Sequence, residues 1–158
     1  MQPRIPQSLD GAKVTVMGLG RFGGGAGVTR WLCSQGARVL LTDLEREEDL
    51  DGPVQSLRKE LDAGQVALRL GGHDKADFTV ADFVVANPAV AKPWTNTYLN
   101  AARASGVAIT TEISLLAERL PAGVRTIAIT GSVGKSTTTA MIHAGLCAGM
   151  GDARVFMG

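Results

Sequence analysis

Lys13-Val14-Thr15-Val16-Met17-Gly18-Leu19-Gly20-Arg21-Phe22-Gly23 decides how this chain is read. Apolar and β-branched residues run straight into glycines spaced Gly-x-Gly-x-x-Gly, and a helical pattern follows from about Gly23 to Gln35, closed by Gly36. Gly18 permits the bend after the strand, Gly20 lets backbone approach a phosphate, and Gly23 lets helix and strand pack closely. Arg38 to Thr42 reads as the next strand, which places Asp43 at its carboxyl end, 20 residues after Gly23. Strand, glycine turn, helix and strand in that order form a βαβ unit with a right-handed crossover and parallel strands. The first helical turn, with Leu19, Arg21 and Phe22 before it, then presents amides to an anion, and Asp43 stands where an acidic side chain accepts hydrogen bonds from a ribose or a base. Two plainer alternatives stay open: the glycines serve only helix-on-sheet packing, and Asp43 is a solvated turn residue opening the acidic run Glu45, Glu47 and Glu48.

The same alternation continues outward. Leu50 to Ala63 is helical in pattern and is broken by Gly64; Val66 to Leu70 is a third strand ending in Gly71-Gly72-His73-Asp74. Asp82 to Ala86 is a fourth strand stopped by Asn87-Pro88, and Thr95 to Ala104 is a helix stopped by Gly106 before the strand Val107 to Thr110. This predicts an α/β fold over residues 1–112, a Rossmann-like, doubly wound, mostly parallel sheet of about five strands covered on both faces.

A second unit is expected over residues 113–158. Glu112 to Leu120 reads as a connecting helix, Arg125 to Ile129 as a β-branched strand, Lys135 to Ala148 as a helix, and Arg154 to Met157 as the start of another strand. Between the first of those strands and the helix lies Thr130-Gly131-Ser132-Val133-Gly134-Lys135-Ser136-Thr137. Backbone amides of such a loop cradle phosphate, the helix dipole adds positive charge, Lys135 reaches phosphate oxygens, and Ser136 or Thr137 offers a hydroxyl to Mg²⁺. The strict Walker spacing fails, because Ile129 stands where its first glycine belongs; the shorter Thr-Gly-x-x-Gly-Lys-Ser-Thr form remains. A single strand, phosphate loop and helix make an incomplete ATPase domain, so the sequence is expected to be the amino-terminal part of a longer protein.

Composition sets limits around these motifs. A net charge of +1, 45% hydrophobic and 20% charged residues give no bulk attraction to nucleic acid or membrane. No apolar run approaches the ~20 residues that span a bilayer, and residues 1–10 lack the apolar core of a signal peptide, so a cytoplasmic location is expected. Cys33 and Cys147 are far apart in sequence and read as free thiols, with no second thiol or histidine at metal-ligand spacing.

A glycine-rich turn followed by a Thr-Gly-x-x-Gly-Lys-Ser/Thr loop resembles the Mur ligases of peptidoglycan synthesis, and the D-glutamate-adding branch fits best. Gly11-Ala12-Lys13-Val14 into Gly18-Leu19-Gly20-Arg21, Val84-Val85-Ala86-Asn87-Pro88, and Gly106-Val107-Ala108-Ile109 into Glu112-Ile113-Ser114-Leu115-Leu116 follow that family's order over nearly the whole chain. The resemblance implies ATP-dependent ligation of D-glutamate to UDP-N-acetylmuramoyl-L-alanine through an acyl phosphate, with ATP and Mg²⁺. It implies that Gly18, Leu19, Gly20, Arg21, Phe22, Gly23, Asp43 and Gly72 line the UDP site, Arg21 and Phe22 by the uracil and Gly72 toward the diphosphate. It implies that Gly131, Ser132, Val133, Gly134, Lys135, Ser136 and Thr137 carry ATP, with Lys135 catalytic and Ser136 on the metal. Three positions depart from the family pattern: Ser132-Val133 replaces Thr-Asn before Gly-Lys, Gly72 replaces a hydroxyl residue, and Asn87 replaces a serine.

The remaining candidates have plainer readings. His73-Asp74 reads as a surface turn rather than a catalytic pair, His143 as packing or solvent-exposed, and Trp94 with Tyr98 as one packed helical face. A dinucleotide-dependent dehydrogenase and a non-catalytic nucleotide-binding module are the rival functions.

Overall fold

The computed structural model describes residues 3–20 and 24–157. The chain divides into two compact units, Met1–Arg119 and Leu120–Gly158.

The first unit is built on five parallel strands in the order β3-β2-β1-β4-β5: β1 Lys13–Met17, β2 Arg38–Thr42, β3 Val66–Arg69, β4 Phe83–Ala86 and β5 Ala108–Thr111. Helix α1, Gly24–Ser34, crosses from β1 to β2, and the short helices α2, Asp51–Gln55, and α3, Arg58–Asp62, lead to β3. Helices α4, Lys75–Thr79, and α5, Thr97–Ala104, precede β4 and β5, and α6, Glu112–Arg119, follows.

Alternation along the strands sends side chains to both faces. On β4, Phe83 and Val85 join the larger core with Val14, Val16, Leu32, Leu41 and Leu57. Val84 and Ala86 join the smaller one with Met17, Phe78 and Leu99. Thr15, buried on β1, is satisfied by its hydroxyl donating to the Asp77 carbonyl at 2.6 Å. Leu115 of α6 is buried in the larger core, so α6 belongs with the first unit.

Two elements differ from expectation here. The helix expected over Leu50 to Ala63 is broken at Ser56-Leu57. The Ser56 hydroxyl donates to the Pro53 carbonyl at 2.6 Å, competing with helical bonding, while Leu50, Val54 and Leu57 are drawn into the core. The sequence reading has no α4; its signal is Asp74, whose carboxylate caps the helix by accepting from the Ala76 amide at 2.9 Å.

In the second unit the loop carries Gly131 at φ 153° and Gly134 at φ 82°, and Gly134 opens α7, Lys135–Met150. The strands expected at Arg125 to Ile129 and Arg154 to Met157 do not form. Residues 125–128 are exposed with no neighbouring strand, and Asp152–Arg154 folds as a 3-10 turn; a strand needs a ladder partner, and none of the described residues supplies one.

Candidate functional site

The strand order reverses between β1 and β4, so the crevice beyond their carboxyl ends is the switch point where open α/β sheets bind ligands. Gly18-Leu19-Gly20 leaves β1 with φ 96° at Gly18 and 69° at Gly20, the left-handed region that favours glycine. Asn87 leaves β4 beside it: its amide donates to the Met17 carbonyl at 2.9 Å, its Nδ2 donates to the Gly18 carbonyl at 3.5 Å, and its Oδ1 accepts from the Ala89 amide at 2.8 Å. A Cβ on Gly18 would come within 2.9 Å of the Asn87 Cβ, so glycine is required there for space as well as conformation.

Arg21, Phe22 and Gly23, assigned to the UDP site from sequence, lie outside the described residues. The close helix-to-strand approach is made at Gly25, where a Cβ would lie 2.2 Å from the Gly18 carbonyl oxygen and 2.6 Å from that of Leu19. Reading the sequence by motif spacing misses Gly25, although the run Gly23-Gly24-Gly25 carries the signal.

Asp43 is 9% exposed, and its carboxylate is turned inward onto the glycine turn. Oδ2 accepts from the Leu19 amide at 2.8 Å and the Gly20 amide at 3.2 Å, and Oδ1 accepts from the Glu45 amide at 3.0 Å. The solvated-turn alternative for Asp43 is therefore wrong. Gly72 is brought to it as well: its amide donates to the Asp43 carbonyl at 2.9 Å, closing a bridge between the ends of β2 and β3. The structure thus gathers Gly18, Leu19, Gly20, Asp43 and Gly72 at one end of the sheet.

His73 follows in that bridge and is not a plain surface turn. Its ring packs edge-on against Tyr98 at 5.1 Å and Phe78 at 5.8 Å, and its Nδ1 is buried without a hydrogen-bond partner. Burial pushes the imidazole below the ordinary histidine range, with Asp43 and Asp77 acting weakly the other way. Trp94 does not share the Tyr98 face, because Asn96 caps α5 after it; Trp94 is 70% exposed. On the other side, Glu112 begins α6 at the end of β5 and reaches the first residue of α1, where a Cβ on Gly24 would lie 3.1 Å from Oε2. Burial raises the Glu112 carboxyl above its usual range.

In the second unit, Lys135 Nζ donates to the Gly131 carbonyl at 2.6 Å, so its ammonium spans the loop between the two left-handed glycines. The Thr139 hydroxyl is spent on the Lys135 carbonyl at 2.9 Å, while the exposed Ser136 and Thr137 stand beside Lys135 in the first turn of α7. Cys147 Sγ lies 3.5 Å from His143 Nε2, one helical turn away. Among the described residues no group of three or more His, Cys, Asp or Glu is placed to hold a metal, and no helix is long and apolar enough to cross a membrane.

A five-stranded parallel sheet whose switch point opens onto a left-handed glycine turn defines a doubly wound, Rossmann-like α/β domain. Residues 12–111 match the model of the Mur ligase MurD-like, N-terminal domain, and the chain belongs to that family. The UDP-N-acetylmuramoylalanine–D-glutamate ligase of Anaeromyxobacter dehalogenans is 45% identical over 136 residues, covering 86% of this chain and 27% of the relative. The enzyme of the same name from Roseiflexus is 41% identical, covering 86% of this chain and 28% of the relative. This chain therefore spans little more than a quarter of the length of these relatives. Among solved structures, a pseudomurein peptide ligase type C from Methanothermus fervidus superposes with a TM-score of 0.52 at 24% identity, covering 83% of this chain and 25% of that one. SirC, a precorrin-2 dehydrogenase, gives 0.52 at 13% identity over 95% of this chain and 72% of its own. These two likenesses establish the fold.

Proposed function

We propose that this chain is the amino-terminal portion of an ATP-dependent amide ligase that adds D-glutamate to UDP-N-acetylmuramoyl-L-alanine in the cytoplasm. The observation that carries the reading is the switch-point crevice at Gly18-Leu19-Gly20, Asn87 and the Asp43–Gly72 bridge, lying within or beside residues 12–111 that match the family. The UDP-binding domain proposed for residues 1–112 carries α6 at its side, and the ATP-binding region begins after it.

The chemistry joins two poor reactants, a carboxylate and an amine. Phosphoryl transfer from ATP to the alanyl carboxylate gives an acyl phosphate and ADP; the D-glutamate amine then attacks the carbonyl carbon, phosphate leaves, and the amine proton is given up. Gly131 to Thr137 is suited to hold the phosphates, because glycines with positive φ favour the turns whose amides bind anions and α7 adds its positive end. Lys135 already places its ammonium across that loop, where it would neutralise charge on the migrating oxygens. The donor set fits Mg²⁺, since Ser136 and Thr137 offer hard hydroxyl oxygens next to Lys135; the ion would supply Lewis-acid stabilisation of the phosphoryl oxygens.

Calorimetric titration of the chain with UDP-N-acetylmuramoyl-L-alanine, NAD and Mg-ATP tests the reading. Saturable binding of the UDP compound supports it, and NAD binding without a response to the UDP compound refutes it.

A further inference from the structure

We propose that the first unit carries a separate binding site for a small amphiphilic carboxylate at the amino ends of β1 and β2: Lys13 and Arg38 hold the carboxylate, and Leu40, Ala67 and Val80 receive its aliphatic body. The site lies a strand length from the glycine turn, about 13 Å along β1, and does not rest on the proposed function.

Part of one sheet face is left without a cover. On that face Met17, Val84 and Ala86 of β1 and β4 pack with Phe78 of α4 and Leu99 of α5, and among the described residues no side chain of β2 or β3 joins this core. Met17 sets the face for β1, so Lys13 and Thr15 share it; on β2, Val39 and Leu41 enter the larger core, which leaves Arg38 and Leu40 on the open side. Although β2 is an interior strand, Leu40 is only half-buried, its register partner Ala67 on β3 is exposed, and Val80 after α4 is 71% exposed. These residues, with Lys13 and Arg38, line a cavity of about 340 Å³, within the range of small-molecule sites.

Lys13 and Arg38 are register partners on parallel strands, so two cations stand side by side on one face, and like charges so placed repel. Among the described residues neither the Lys13 ammonium nor the Arg38 guanidinium has an ionic or hydrogen-bonding partner. The carboxylates beside them are engaged elsewhere, Asp77 with the Arg69 guanidinium and Asp82 with the Lys13 amide at 2.7 Å. A ligand carboxylate between the two cations relieves their repulsion, because the planar Arg38 fork matches both its oxygens and Lys13 adds a point charge. The apolar floor favours an anion with an aliphatic body over an inorganic one, which would leave Leu40, Ala67 and Val80 in water.

The test titrates the whole 158-residue chain with sodium octanoate, and with sodium acetate, which has the charge and almost no body, by calorimetry and amide NMR shifts. Octanoate is expected to saturate at least about tenfold more tightly than acetate, shifting the amides of Lys13, Arg38, Leu40 and Ala67 but not those of Gly18 and Gly20. The double variant Lys13→Gln, Arg38→Gln is expected to weaken octanoate by at least about tenfold, and Val80→Asp, which sets a like charge beside the site, by about fivefold. All three positions are exposed, so the variants are expected to fold. Absence of saturation, octanoate within about twofold of acetate, or an affinity kept within about twofold in the double variant would overturn the assignment. UDP-N-acetylmuramoyl-L-alanine is titrated into the same samples: displacement of octanoate would overturn the separate site, whereas failure of the UDP compound to bind counts against the proposed function alone.

Discussion

Replacing Asp43 with alanine removes the clip that holds the glycine turn to the end of β2. Three backbone amides lose their acceptor: Leu19 at 2.8 Å, Gly20 at 3.2 Å and Glu45 at 3.0 Å. Hydrogen bonds to a charged group contribute roughly 1.5–3 kcal/mol each, and a buried donor left unpaired adds its own cost. The Leu19 bond is buried and takes the full value, about 2 kcal/mol; the longer Gly20 bond and the more exposed Glu45 bond take about 1 kcal/mol each. Asp43→Ala is therefore expected to destabilise the first unit by about 4 kcal/mol, and Asp43→Asn, which keeps one acceptor oxygen, by about half that. At roughly 4–8 °C per kcal/mol for a domain near 100 residues, the alanine variant melts on the order of 15–30 °C lower. Urea unfolding followed by circular dichroism, with thermal melts alongside, measures both variants. A loss below about 1 kcal/mol for Asp43→Ala would refute the reasoning, because it would mean that the turn amides find water as readily as the carboxylate.

Three other perturbations have expected outcomes. Gly25→Ala forces a Cβ to within 2.2 Å of a backbone oxygen and is expected to destabilise by about 3 kcal/mol or more, whereas Gly27→Ala, with nothing within 4 Å, is expected to be neutral or to stabilise slightly; equal melting temperatures would contradict the packing. Burial holds the folded His73 below the ordinary value of 6.5, so the unfolded chain takes up that proton first; the stabilisation is complete above pH 6.5 and is lost as the pH falls from there through the folded value. His73→Phe should flatten that part of the urea-stability profile, and an unchanged slope would show that another group causes it. Lys135→Ala should weaken Mg-ATP binding by at least about tenfold in calorimetry while UDP-N-acetylmuramoyl-L-alanine still binds; equal loss of both ligands would contradict two separate sites.

The first unit was legible because its signals are local and repeated. Val14, Val16, Val39, Leu41, Val84 and Val85 sit on strands buried on both sides, and glycines close the turns, so element type and order follow from the run of residues alone. What stayed hidden depends on contacts distant in sequence. Glu112 meets Gly24 across the sheet, and His73, in the segment before α4, reaches Tyr98 of α5; no spacing rule encodes either pairing. Asp43 shows the difference within one residue: its place at the end of β2 follows from the strand pattern, whereas the direction its carboxylate faces depends on where the Leu19 and Gly20 amides point. In the second unit the loop and helix are local and form, but the β-branched residues Val124, Ile127 and Ile129 have strand propensity without a ladder to join. Helix α7 buries none of its residues and α1 buries six, so core packing sustains α1 and contributes far less to α7. Gly131 and Gly134 can hold the loop in its left-handed turns, but holding a phosphate against water also requires the strand before the loop to be fixed, and that constraint is non-local.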